Sequence, residues 1–273
     1  MPESSFVLLG RDGDIATLTF NDPDRRNAMT QAMGEAFAGR VADLARDDQL
    51  RAVVLTGAGG AFSAGGDLGM IESRAQEGAR GAHSPGLARG AIRDGMRSFY
   101  KLFMAVRELP CPTIAAINGA AIGAGLCVAL ACDARIVSSQ ASLGLNFTAL
   151  GLHPGMAATW TLPRLVGPAR AAELLYSSRI FTGEEAAEIG LVNRAVGPQA
   201  VLDTANQLAA EFAAAAPLAV RGVKRALERS LDVSLEDQLS FEAEQQARCF
   251  ESQDVHEGLA AIREKRRPSF KGR

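Results

Sequence analysis

The residues best placed for chemistry in this sequence are small ones. In "AVVLTGAGGAFSAGGDL", and again in "TIAAINGAAIGAGLCVAL", an apolar strand-like run enters a turn of Gly and Ala, and a helix-forming run follows. Glycine lets the backbone take positive φ and lets a ligand approach the chain closely. A helix start leaves N–H groups unpaired and carries partial positive charge. Two such starts aimed at one point would form an oxyanion hole from main-chain donors alone. Each donor stabilises charge developing on a carbonyl oxygen by about 3–4 kcal/mol.

Side chains offer a second chemistry. "AFSAG" is close to the G-x-S-x-G elbow of a serine hydrolase, and Asp133 and His153 follow Ser63 in the chain order of that fold. Against it, Ala61 stands at the first glycine, and a glycine pair lies where the elbow's helix begins at once. Neither turn is a nucleotide loop. After Gly123 and Gly125 the third glycine of G-x-G-x-x-G is replaced by Val128, and Gly-Lys-Ser/Thr is absent. The histidines are widely spaced and the cysteines form no C-x-x-C pair, so no metal site is expected.

The elements that must position these turns can be read from periodicity. "FVLLGRDGDIATLTF" predicts a hairpin turning at Asp12-Gly13. "MTQAMGEAFAGRVADLAR" predicts a helix capped by Thr30, with Met33, Phe37, Val41 and Leu44 on one face. "AVVLT" and "TIAAI" read as buried strands, and "ARIVSS", "SLGL" and "LVNRAV" as short ones. Residues 73–92, rich in Gly, Ala, Arg and Ser, read as a mobile segment containing His83. "RDGMRSFYKLFMAVREL" reads as a helix ending before Pro110. Strands and helices alternate early and helices dominate late, which predicts an α/β core over residues 1–197 and a helical region over 198–273.

Composition narrows the class. The chain has 273 residues, 47% of them hydrophobic, and a net charge of −2. A large buried core is therefore possible, and a nucleic-acid surface is not expected. No apolar run is long enough to span a bilayer, and "MPESSFVLLG" lacks the marks of a secretion signal. Cys111, Cys127, Cys132 and Cys249 read as reduced thiols of a cytoplasmic protein.

Taken together, "RRNAMT", "GAGGAFSAGGDL", "PTIAAINGAAIGAGLCVALACDARI", "LGLHPGMAATWTLPRLVG", "ARAAELLYSSRIFTGEEAAEIGLVNRAV", "APLAVRGVKRAL" and "EKRRPSFKG" make the sequence similar to the crotonase, or enoyl-CoA hydratase/isomerase, superfamily. The resemblance runs in register along nearly the whole chain. It implies a spiral of strand-strand-helix units, a helical C-terminal trimerisation region, and a homotrimer or dimer of trimers. It also implies an acyl-CoA or enoyl-CoA substrate, so that coenzyme A enters with the substrate and no separate cofactor or metal is needed. The resemblance assigns CoA contacts to Arg26, Ala28, Gly65, Gly66, Asp67, Leu68, Lys265 and Phe270. It places the oxyanion donors at the N–H groups of Ala64 and Ala124. Asp67 has a competing role as a helix cap.

Hydratases of this family use a pair of glutamates to hold and activate water. The matching positions here are Cys127 and Phe147, and the position of a dehalogenase aspartate is Gly155. A positioned acid or base contributes about 10²–10⁴-fold in rate, and phenylalanine cannot move a proton. His153, in "GLHPGM", is the remaining titratable candidate for the acyl pocket, in competition with a purely structural bond to its own turn. The leading expectation is a crotonase-type enzyme with a main-chain oxyanion hole and an altered acid/base set. A non-catalytic acyl-CoA-binding protein and a Ser63 hydrolase are the alternatives.

Overall fold

The computed structural model describes residues 6–80 and 87–273, and side chains except that of Leu87. His83 lies outside the described residues. The hairpin forms as expected, with β1 (Val7–Asp12) antiparallel to β2 (Ile15–Phe20) and Gly13 at a φ of 57° in the turn. From β2 onward the large sheet is parallel. It adds β3 (Ala52–Gly57), β5 (Thr113–Ile117), β7 (Ala134–Ser138) and β10 (Arg194–Val196), in the order β1-β2-β3-β5-β7-β10.

Three of these strands pass straight into a second, smaller sheet. β3 leads to β4 (Ala61–Ser63), β5 to β6 (Ala120–Ile122), and β7 to β8 (Ser142–Gly144). With β9 (Ile180–Thr182) they form a sheet in the order β4-β6-β8-β9. Helices complete the units: α2 (Leu68–Arg80) follows β4, and α4 (Ala124–Ala131) follows β6. This is the strand-strand-helix spiral. The small-sheet strands β4, β6 and β9, three residues each, are not read from the sequence, whereas β8, of the same length, is.

The parallel strands are buried on both faces, as crossover topology requires. Val53, Leu55, Ala115, Ile117 and Val137 pack inward against α1 (Gln31–Ala45), α3 (Leu87–Met104) and α4. Thr30 caps α1 by accepting a hydrogen bond from the Met33 N–H at 3.1 Å, and Met33, Phe37, Val41 and Leu44 are its buried face. Phe20 contacts Phe37, Phe62 and Phe103 with ring centroids 5.3, 5.8 and 6.3 Å apart, which ties the sheet, β4 and α3 into one aromatic cluster.

The outer face of the sheet (Ala52, Val54, Ile114, Ala116, Ala134, Ile136) is covered by Val201, Ala205, Leu208 and Ala209 of α7 (Val201–Ala213). The α/β core therefore extends past residue 197, because the sheet has a second apolar face that only α7 closes. The segment over residues 73–92 also differs from expectation. α2 runs to Arg80 and α3 starts at Leu87, so most of that stretch is helical.

α5 (Ala158–Ser177) and α6 (Gly183–Glu188) flank β9. α8 (Pro217–Arg229), α9 (Leu235–Phe250) and α10 (Gln253–Glu264) finish the chain. Asp133 joins α8 to the core. Its Oδ2 accepts from Thr113 N at 2.7 Å, Thr113 Oγ1 at 2.9 Å and buried Lys224 Nζ at 2.9 Å. The lysine reaches it because α8 crosses this end of the sheet.

Candidate active site

The two small-residue turns lie side by side. The parallel pairing of β4 with β6 aligns them, and Asn118 Nδ2 donates to the carbonyls of Gly57 and Gly59, both at 2.9 Å, clasping one turn from the other. The contact is closest at Gly65, whose φ is +90°. A Cβ added there would fall 2.5 Å from the Ile122 carbonyl oxygen and 3.5 Å from the Ala124 nitrogen. Only glycine lets the turns approach this closely.

The segment "RRNAM" is laced to the first turn. Asn27 is fully buried and donates to the carbonyls of Ala58 and Ala61 at 2.9 and 2.8 Å. Met29 N donates to Gly65 O at 2.8 Å, and Asp67 N donates to Met29 O at 3.2 Å. In this parallel bridge, Met29 binds the residues on either side of Gly66. The N–H of Gly66 therefore points away from Met29, and among the described residues it has no hydrogen-bond partner.

This corrects one expectation. The Ala64 N–H is bonded to the Arg26 carbonyl at 2.8 Å, so it is not free to bind a ligand. Among the described residues, Gly66 instead offers an unpaired donor in the first turn. The second expected donor stands differently: Ala124 is the first residue of α4, behind the Gly123 cap, and its N–H has no partner among the described residues.

Both amides border a cavity of about 300 Å³. Leu68, Met70, Ile71, Ile92, Met96, Phe99, Phe147, Leu150, Leu152 and Met156 make its walls largely apolar, and Ala64, Gly65 and Gly123 also line it. Among the described residues, the polar side chains on the wall are Arg74, Tyr100, Asn146 and His153. Arg74 is held by Glu77 at 3.0 Å. His153 is exposed, and its Nδ1 donates to the Pro154 carbonyl at 2.7 Å. It thus makes the structural bond and also lines the cavity.

The residues at the usual carboxylate positions cannot carry protons near neutral pH. Phe147 lies on the cavity wall. The Cys127 thiol is buried behind it, 3.7 Å from the Gly155 carbonyl, and desolvation pushes its pKa up to about 12.

Other predicted site residues lie off the cavity. Asp67 Oδ1 accepts from Met70 N at 3.0 Å, capping α2, while Oδ2 pairs with Arg25. Arg26 and Ala28 sit in the laced segment, and neither lines the cavity. Lys265 ends α10 in the left-handed conformation, and Phe270 packs near Gly258. The fold of a single chain does not bring either to the cavity. Ser63 is fully buried. Its Oγ donates to Asn27 O at 2.7 Å and accepts from Gly65 N at 3.1 Å, while Asp133 is held by Thr113 and Lys224. This geometry brings no catalytic triad together.

Sequence reasoning missed Tyr100, Asn146 and the role of Gly66. Tyr100 had a readable signal: Ile92, Met96, Phe99, Tyr100 and Phe103 recur at helical spacing, the stripe that α3 turns toward the cavity and core.

The chain is similar to known proteins in sequence and fold. The family profile described as enoyl-CoA hydratase/isomerase matches residues 10–273. The short-chain-enoyl-CoA hydratase of Clostridium acetobutylicum is 34% identical over 274 residues, covering 99% of this chain and 100% of that one. The human mitochondrial enoyl-CoA hydratase domain-containing protein 2 is 38% identical over 272 residues, covering 98% and 89%. The crystal structure of an enoyl-CoA hydratase from Bacillus anthracis superposes with a TM-score of 0.88 at 34% identity, covering 98% of this chain and all of that one.

Proposed function

The chain belongs to the enoyl-CoA hydratase/isomerase (crotonase) family, and on that premise we propose that it acts on an acyl- or enoyl-CoA thioester held by the amides of Gly66 and Ala124. One observation carries the reading. Two unpaired main-chain donors from adjacent turns face one apolar cavity. Such a pair stabilises an enolate oxygen at no reorganisation cost, by about 3–4 kcal/mol per donor. The helix dipole of α4 adds to the field at Ala124.

The rest of the cavity suits an acyl chain. Met and Leu walls accept flexible hydrocarbon, and Phe147 removes the charge that a carboxylate would place there. Arg25, Arg26 and the basic tail suit the CoA phosphates. The exposed Leu227, Leu231, Leu235 and Leu239 of α8, α9 and the link between them offer an apolar face that fits a trimer.

The experiment is a panel of trans-2-enoyl-CoA substrates from crotonyl to decenoyl, with calorimetric binding of the saturated analogues alongside. Turnover of any member supports the enzyme reading. Tight binding with no turnover favours the second reading, an acyl-CoA-binding protein, for which Cys127 and Phe147 speak. Absence of binding by every thioester sinks both.

A further inference from the structure

Among the described residues the cavity wall carries oxyanion donors but no carboxylate, which directs the search for a proton donor to its other groups. The resemblance puts the first glutamate position at Cys127 and the dehalogenase aspartate position at Gly155. The structure delivers a third group to that place. Tyr100, on α3, lines the cavity, and its Oη lies only 2.4 Å from where a Cβ of Gly155 would stand. The Cys127 thiol is bonded to the carbonyl of the same glycine. The glycine is thus the residue that makes room for the phenol. Among the described residues, the Tyr100 hydroxyl has no hydrogen-bond partner, although the ring is half-buried. A half-buried hydroxyl that stays unpaired on a cavity wall is available to a ligand.

We propose that the Tyr100 phenol donates the proton to the α-carbon of the bound acyl thioester. The inference rests on the thioester reading above. In a hydration, a water lone pair forms the C–O bond at the β-carbon and the C=C pair shifts to give the enolate, whose oxygen sits on the Gly66 and Ala124 amides. The phenolic O–H then breaks as the enolate pair forms the α-C–H bond, and the thioester C=O is restored. The proton lost by the added water passes to the phenolic oxygen, so Tyr100 ends as it began. Burial, reinforced by Cys127, holds the phenol above its ordinary pKa of 10, so it is protonated at neutral pH. Among the described residues, the other ionisable groups on the wall are His153 and Arg74.

The test compares the wild-type chain with Tyr100→Phe in three measurements. These are affinity for decanoyl-CoA by calorimetry, exchange of its α-hydrogens with D2O by NMR, and turnover of trans-2-decenoyl-CoA. The exchange is the proposed step in reverse and needs no knowledge of the full reaction. Expected are an affinity within about threefold of wild type and a fall of about 10²–10⁴-fold in exchange and turnover. In wild type, exchange rises with pH as phenolate accumulates, and this dependence disappears in the variant. Gly155→Ala, whose methyl displaces the phenol without removing it, lowers exchange in the same direction and serves if Tyr100→Phe is unstable. Exchange in Tyr100→Phe within threefold of wild type overturns the assignment and leaves the thioester reading intact. Wild-type binding with neither exchange nor turnover also overturns it, in favour of a binding protein. Absence of binding overturns the thioester reading itself.

Discussion

Gly65→Ala perturbs the contact on which the proposed oxyanion hole depends. Gly65 is buried at a φ of +90°, and an added Cβ would stand 2.5 Å from the Ile122 carbonyl oxygen. Heavy atoms essentially never approach a real Cβ within 3.0 Å. The obstacle is the main chain of the other turn, so in a close-packed interior the two turns must part by at least about 0.5 Å. Donors act over a window of about 2.7–3.1 Å from the oxyanion, so that displacement takes one of them out of range. Losing one donor lowers kcat by about 10²–10³-fold. The left-handed φ adds about 1–2 kcal/mol of strain against folding. The assays are turnover of trans-2-enoyl-CoA, thermal unfolding, and difference infrared spectroscopy of bound acyl-CoA. The thioester carbonyl stretch is lowered in the wild type by two hydrogen bonds and moves back toward its free value in the variant. A folded Gly65→Ala chain with wild-type kcat and an unchanged carbonyl band would refute the convergence of Gly66 and Ala124 on one oxygen.

Asp67→Ala removes the cap on α2 and the pairing with Arg25. It lowers stability by about 0.5–2 kcal/mol, read from denaturant unfolding, and an unchanged midpoint would show that the cap is idle. Alkaline pH weakens the fold through its buried thiols. Desolvation raises Cys127 and Cys132 from 9.0 to about 12. Their stabilising contribution is complete below pH 9 and is lost as pH rises toward 12, because the unfolded thiols ionise first. Thermal unfolding across that range should show a falling Tm, with Cys127→Ala and Cys132→Ala reducing the slope, and a flat profile counts against the buried-thiol account. The family resemblance implies an assembly of three chains or a multiple, for which the exposed leucines of the C-terminal helices offer an apolar face, and sedimentation equilibrium measures it. Leu235→Arg shifts it toward lower mass, and a single-chain mass for the wild type contradicts the proposal.

Much of this protein was legible before folding. Strand burial, the α1 face and the two small-residue turns follow from local periodicity and glycine placement, because those signals depend only on near neighbours in sequence. The motifs around the turns carried the family. What needed tertiary structure was direction. Whether Ala64 or Gly66 has the free amide depends on which carbonyl each meets, and the answer comes from Arg26 and Met29, far away in the chain. Ser63 looks like a nucleophile in sequence and is a buried brace in space, because Asn27 and Gly65 occupy its hydroxyl. Tyr100 is an ordinary helix residue in the sequence. Only the packing of α3 over Gly155 places its phenol on the cavity wall. Local sequence decides which elements form; the non-local contacts between them decide which donors are left unpaired, and those donors make the proposed site.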